Sequence, residues 1–381
     1  MVFTFTPLIY YSKSLTPIMN RGFNTVIWKE GLMKCSKVMQ KNLELSIIHG
    51  PTADEVAKDI DLENKTCLIT GANSGIGLEV TRCLNARDCK VLMACRNTYA
   101  ASVVAKNVCE KNDLLHFYEV NLASLASVKN CCDNILKDHK KIDLVILNAA
   151  TFGLPWSLTE DGLETTFQVN YLSQYYLLMN IENHLAPDAR IVFTSTESHR
   201  NINWPISKTL SPTLDDLSLS KDEYTSIKAY NISKLCGILA MHYLGYRWLG
   251  TDKMVFCANP GSFVKTQLCR NWWAYETLYT FMRPFTKSIR QAASTIVLCA
   301  VSPELQGLSA LYYSNCRRCE ESDLAKDSYL SFKIQDLTRD ILKERIADFE
   351  DAVEYTQSLK EPEKIPTDER YEQALVSNYS G

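Results

Sequence analysis

No stretch of the 381 residues stays apolar for the ~18–20 positions that a membrane-spanning helix needs. A dominant charge is missing too: 41 Lys and Arg face 44 Asp and Glu, a formal net charge of −3. Nothing in that balance points to nucleic acid or an anionic membrane as a partner. Cys316-x-x-Cys319 has no second ligand pair at metal-binding spacing, so no metal site is expected. The fourteen cysteines lie mostly in apolar runs, as Cys67, Cys83, Cys95, Cys257 and Cys299 do. They read as buried, reduced thiols of a cytosolic protein, not as a disulfide scaffold. There is no internal repeat. The first residues, MVFTFTPLIYYSK, are apolar and poor in acid but lack the Arg-rich amphipathic pattern of a transit peptide. The expected compartment is the cytoplasm, with mitochondrion and nucleus as alternatives.

What is present is a long alternation of apolar runs and helical stretches. TCLIT (66–70), CKVLMAC (89–95), LLHFYEV (114–120) and IDLVILN (142–148) read as strands. RIVFTST (190–196), KMVFCAN (253–259) and ALYYSN (310–315) follow. All seven lack polar alternation, so each is expected to be buried on both faces of a helix-covered parallel sheet. Residues 201–220, rich in Pro, Ser and Asn, read as a loop. One late amphipathic helix is marked by Ile334, Leu337 and Ile341. The ends differ in charge: residues 1–41 hold six Lys/Arg and one acid, residues 320–381 sixteen acids and eight Lys/Arg. The expected division is an N-terminal extension (1–49), one α/β domain (50–345) and an acidic, disordered tail (346–381).

Directly after the first strand comes Gly71-Ala72-Asn73-Ser74-Gly75-Ile76-Gly77, followed by a helix. Gly71 would make the tight turn, Gly75 would let the backbone approach a pyrophosphate, and Gly77 would let helix and strand pack closely. The helix N-terminus offers N–H groups to the phosphates. An NAD site places an acid at the end of the second strand for the ribose 2′-hydroxyl; here the residue is Arg96, which suits a 2′-phosphate. NADP is therefore expected ahead of NAD. Farther on, Tyr230 and Lys234 stand four apart at the start of a long helix, on one face. A neighbouring ammonium favours the phenolate, making Tyr230 a proton donor and acceptor near neutral pH.

Together TGANSGIG, LNAA (147–150) and YNISK resemble the short-chain dehydrogenase/reductase superfamily. Longer runs, including TESHR and AYNISKLCGIL, resemble a subgroup that carries paired WW modules ahead of the oxidoreductase domain, beside the retinol-dehydrogenase-like branch. The likeness spans roughly residues 50–345. It implies a Rossmann-type doubly wound parallel sheet of seven strands, order 3-2-1-4-5-6-7, flanked by helices. It also implies roles by position. Asn148 with Ala149 would steady the sheet near the cofactor, and Asn121 with Leu122 would approach adenine, Asn121 replacing the usual Asp. Asn170 would anchor a water of the proton relay. Lys234 would also hold the nicotinamide ribose, near Tyr230, and Pro260, Gly261 and Thr266 would lie at the nicotinamide end. Thr196 falls where the family has its catalytic Ser; its hydroxyl can donate the same hydrogen bond, but its methyl stiffens the side chain. Strand alternation turns Ser195 the other way, and Ser198 is far along the loop. A WW module needs two signature tryptophans; ahead of residue 65 only Trp28 is present, so none is expected.

The substrate side should form from residues 197–220 and 262–285. The latter hold Phe263, Trp272, Trp273, Tyr275, Tyr279 and Phe281, an aromatic set suited to a steroid- or retinoid-like alcohol or carbonyl, although several of them would equally serve to pack helix on core. Homodimers are common in the superfamily. The competing reading is a weakly active or inactive cofactor-binding scaffold acting in signalling or apoptosis through protein contacts, which the Thr at position 196 favours and the intact Tyr230–Lys234 pair opposes.

Overall fold

The computed structural model describes residues 50–261, 287–347 and 349. Eight strands form one sheet: β1 (Thr66–Thr70), β2 (Lys90–Cys95), β3 (Leu115–Glu119), β4 (Ile142–Leu147), β5 (Leu185–Thr194), β6 (Met254–Asn259), β7 (Leu311–Ser314) and β8 (Arg317–Arg318). Their order is β3-β2-β1-β4-β5-β6-β7-β8, parallel except for β8. The order in which strands are added reverses between β1 and β4, the switch point at which α/β folds bind ligands beyond the strands' carboxyl ends.

Helices α1 (Gly75–Asn85), α2 (Thr98–Val108), α3 (Leu125–Asp138), α4 (Ser173–Ile181), α5 (Ser226–Arg247), α6 (Ile289–Val301) and α7 (Ser328–Arg345) flank the sheet. Two apolar clusters result. One packs α3, α4, α5 and α7 on one face, with Tyr171, Tyr175, Leu239 and Ile334 fully enclosed. The other packs α1, α2 and α6 on the opposite face around Ile69, Met93 and Phe256. β1, β4 and β6 are buried at every residue, as strands covered on both faces must be.

Four expectations need correction. The seven-strand order holds, but an eighth strand, antiparallel to β7, closes that side. Its turn is Asn315-Cys316, with φ of 54° and 58°. Two consecutive left-handed residues are what a two-residue hairpin turn with the sheet's twist requires, and Asn tolerates that region; without a glycine the turn gave no signal in the sequence. The third strand is not buried on both faces: β3 is the sheet's edge, and His116, Phe117 and Glu119 are partly or fully exposed. β5 begins at Leu185, five residues before the apolar run that announced it, because Pro187 and Asp188 interrupt the pattern. Residues 201–220 are not loop throughout; they contain short helices Ile206–Leu210 and Leu214–Leu217. The late helix is present as α7, with Ile334 and Ile341 buried and Leu337 half-buried.

Candidate active site

The glycine-rich turn lies between β1 and α1. Gly71 has φ +65°, a left-handed turn that a side chain would strain. A Cβ on Gly77 would come within 2.4 Å of the Gly71 carbonyl oxygen and 2.5 Å of Asn148 Nδ2, so the helix can sit this close to the strand only with glycine there. The N-cap side chains of α2, α3, α5, α6 and α7 (Asn97, Ser124, Thr225, Ser288 and Asp327) each accept a first-turn N–H. Ser74, the N-cap of α1, makes no such bond, and no acid stands in that first turn. A cradle without room for side chains, opening on uncapped N–H groups, fits a dinucleotide phosphate.

Behind the turn the ends of β1 and β4 are laced together. Asn148 Nδ2 donates to the carbonyls of Thr70 (3.1 Å) and Gly71 (3.3 Å). The backbone N–H groups of Asn148 and Ala149 both donate to Thr70 Oγ1 at 3.0 Å. Across the sheet edge, Arg96 and Asn121 are exposed. Asn121 Oδ1 accepts from its own loop, the Ala123 N–H at 3.2 Å, while Leu122 is buried beneath it.

Asn170 occupies a π-helical turn, Gln168–Leu172, between a short helical turn at Thr165–Phe167 and α4. Such turns redirect a residue within a helix and recur at functional sites. Asn170 is fastened at three points: Oδ1 accepts the Thr151 N–H (2.7 Å), and Nδ2 donates to the Thr151 carbonyl (3.0 Å) and Ser233 Oγ (3.1 Å). Ser233 Oγ in turn donates to the Tyr230 carbonyl (2.7 Å). Thus Asn170 and the tyrosine helix α5 are joined directly.

On α5, Lys234 is 4% exposed and its Nζ donates to the Thr194 carbonyl at the end of β5 (2.7 Å). The same Nζ lies 5.7 Å from the centre of the Tyr230 ring. Burial pushes the Lys234 pKa down to about 8, leaving it predominantly cationic at neutral pH beside the phenol. Phe152, just beyond β4, stands edge-on to Tyr230 with ring centres 5.0 Å apart.

Thr196, two residues beyond β5 and still in extended backbone, begins the turn Glu197–Asn201, its Oγ1 accepting the Ser198 N–H at 3.4 Å. Thr196 is half-buried and Ser195 buried. His199 is fully enclosed, with Nδ1 on the Thr196 carbonyl (2.6 Å) and Nε2 accepting the Ser322 N–H (3.1 Å), an arrangement that requires the neutral ring. Glu197 accepts from Tyr312 OH (3.0 Å), Asn259 Nδ2 (3.2 Å) and Arg200 (2.7 Å). Burial raises its carboxyl, but the bonds and charge of Arg200 outweigh that and hold it below its usual range. Asn259 Oδ1 also accepts the Gly261 N–H (3.0 Å), shaping the Pro260-Gly261 turn, where Gly261 has φ +94°.

The structure therefore brings Gly71, Asn148, Asn170, Tyr230 and Lys234 into one connected region at the carboxyl edge of the sheet. Thr266 and the aromatic residues of 262–285 lie outside the described residues. Sequence reasoning missed Thr70, Gln174, Ser233, Glu197 and Asn259. One of these left a trace: Gln174 is a lone amide within the apolar run YLSQYYLLM.

A family model described as short chain dehydrogenase matches residues 65–204. The chain is 40% identical over 299 residues to the WW domain-containing oxidoreductase of Drosophila melanogaster, covering 77% of this chain and 72% of that protein. The chain belongs to the short-chain dehydrogenase/reductase family. It is 37% identical over 301 residues to the Homo sapiens protein of the same name, with the same coverage. To retinol dehydrogenase 12 of Mus musculus it is 32% identical over 289 residues, covering 74% and 88%. Among solved structures, a short-chain type dehydrogenase/reductase from Mycobacterium marinum superposes with TM-score 0.53 at 17% identity, covering 68% and 96%. A 3-ketoacyl-(acyl-carrier-protein) reductase from Brucella melitensis complexed with NADH gives TM-score 0.51 at 17% identity, covering 67% and 97%. These last two likenesses establish the fold. The chain is thus an oxidoreductase of the short-chain dehydrogenase/reductase type, a fold that binds NAD(P)(H).

Proposed function

We propose that the chain transfers hydride between NADP(H) and a hydrophobic alcohol or carbonyl of steroid or retinoid size, with Tyr230 as the acid/base. The observation that carries this reading is the buried Lys234 ammonium held beside the Tyr230 ring on one face of α5. In a site withdrawn from water a cation at that distance stabilises phenolate far more than it would in solution. Tyr230 can then donate its proton to a carbonyl oxygen during reduction, or accept one from an alcohol during oxidation. Thr196 donates a hydrogen bond to the same substrate oxygen and fixes its direction. Asn170, locked by Thr151 and Ser233, holds the relay that returns a proton to Tyr230.

The nicotinamide, when bound, supplies or accepts the hydride. Its dinucleotide would be held by Gly71, Asn73, Ser74, Gly75, Ile76 and Gly77 at the pyrophosphate and by Lys234 at the ribose. Asn148 and Ala149 would lie beneath it, and Pro260 and Gly261, with Thr266 beyond the described residues, would serve the nicotinamide end. Arg96 would take the 2′-phosphate, while Asn121 and Leu122 border the adenine. The domain carrying this site is taken as residues 50–345. Retinol dehydrogenase 12 among the relatives, and Phe152 against Tyr230, support an apolar substrate.

The test is NADPH oxidation by the purified chain across steroid, retinal and aliphatic carbonyls. Turnover that drops about 10²–10⁴-fold in Tyr230→Phe is expected, the range for loss of a general acid/base. Tight NADPH binding without turnover on any carbonyl would replace this reading with that of a cofactor-binding scaffold.

A further inference from the structure

We propose that Gln174 is a positioning residue that ties the cofactor turn to the proton-transfer turn, so that cofactor binding at one orders the other. This rests on the functional reading above. Gln174 is 2% exposed, in the first turn of α4. Its Nε2 donates to the Ala149 carbonyl (2.9 Å) and the Asn170 carbonyl (2.8 Å), and its Oε1 accepts from Thr70 Oγ1 (2.6 Å). The amide's orientation is dictated, because two carbonyls can only accept and must face the NH₂ group.

That choice propagates. The Thr70 hydroxyl must give its hydrogen to Gln174, leaving its lone pairs for the N–H groups of Asn148 and Ala149. One side chain thus joins the exits of β1 and β4, which carry the glycine turn, to the π-helical turn that aims Asn170. Beyond Asn170 the same line runs through Ser233 Oγ to the Tyr230 carbonyl. Every polar group of Gln174 is used, and removing the amide takes a donor from the half-buried Ala149 carbonyl and the buried Asn170 carbonyl and the acceptor from the buried Thr70 hydroxyl. A side chain that only filled space between α4 and the sheet would need none of these bonds.

The experiment compares the full chain with Gln174→Met and Gln174→Glu, by hydrogen exchange with and without NADPH and by steady-state turnover. In the wild type, NADPH is expected to slow exchange across residues 165–175 by about tenfold, in the range of site-to-site couplings. In Gln174→Met that protection is lost, while exchange in α6 stays as in the wild type, and NADPH binds more weakly by a similar factor, as reciprocity requires. In Gln174→Glu the introduced carboxyl keeps the acceptor for Thr70 and can donate only when protonated. Its turnover relative to wild type should therefore rise as pH falls from 8 to 6, a trend that a packing defect would not produce. Undiminished NADPH protection of residues 165–175 in Gln174→Met overturns the proposal; should that variant not fold, a flat pH ratio for Gln174→Glu does so. A wild type that binds NADPH yet turns over no substrate sinks the functional reading instead, and the exchange measurement still decides this one.

Discussion

The two sides of the sheet's carboxyl edge are built differently. Near β4, β5 and α5 the site's polar side chains are buried or half-buried and fastened at fixed points, mostly to backbone: Asn148 to the glycine turn, Asn170 to Thr151 and Ser233, Lys234 to Thr194. Near β2 and β3 the polar side chains are exposed, and Arg96 has no ion pair or hydrogen bond among the described residues. Proton transfer needs heavy atoms placed to within a few tenths of an ångström, which a mutually bonded, close-packed group provides. Holding a phosphate at the far end needs charge within reach, and a flexible guanidinium can adjust to it. Under the proposed function, the first side would set rate and the second cofactor preference.

Breaking the buried side should produce the largest effect. Lys234→Met is expected to reduce turnover about 10²–10³-fold in NADPH-linked assays, since the proposed phenolate partner and the proposed ribose contact would both be lost. The same lysine gives a pH signature. Its folded pKa of about 8 lies below the ordinary 10.5, so between those values the unfolded chain binds the extra proton and stability gains with rising pH. Buried thiols such as Cys89 and Cys236, whose pKa values burial raises, act in the opposite direction. The difference in urea unfolding between wild type and Lys234→Met, followed from pH 7 to 10, isolates the lysine: the variant should lack its gain above about pH 8. Wild-type turnover should meanwhile decline as the ammonium loses its proton through about pH 8.

Next in size, Gly77→Ala forces a methyl against Gly71 and Asn148 and should cost about 1–3 kcal/mol of unfolding free energy, with weaker cofactor binding. On the exposed side, Arg96→Ala should weaken NADPH about tenfold while leaving NADH affinity and thermal stability unchanged, which titration of both cofactors would show. Equal loss for both cofactors would remove Arg96 from the 2′-phosphate. Smallest of all, Thr196→Ser should change turnover within about threefold, because the hydroxyl remains and only a methyl is lost. A large gain there would mean that the methyl crowds the substrate.

Most of the fold was legible because its signals are local. A helix-covered strand must be apolar throughout, and β1, β2, β4 and β6 announce themselves by that alone. Where burial is one-sided or absent, as in β3 and the first half of β5, the rule gave wrong faces or wrong ends. β8 is two residues long and exists only because the Asn315-Cys316 turn folds it onto β7.

For the candidate site, spacing alone placed Tyr230 and Lys234 on one helical face, and the strand–glycine–helix pattern marked the turn where a backbone can approach phosphate. Those are properties of a few consecutive residues. Tertiary structure decided how deeply Lys234 is buried, hence its lowered pKa, and which carbonyl receives it forty residues away. It also decided that Thr70 and Gln174, 104 positions apart, share one hydrogen bond. No window of sequence contains both partners, and only the packing of α4 on the ends of β1 and β4 makes them neighbours.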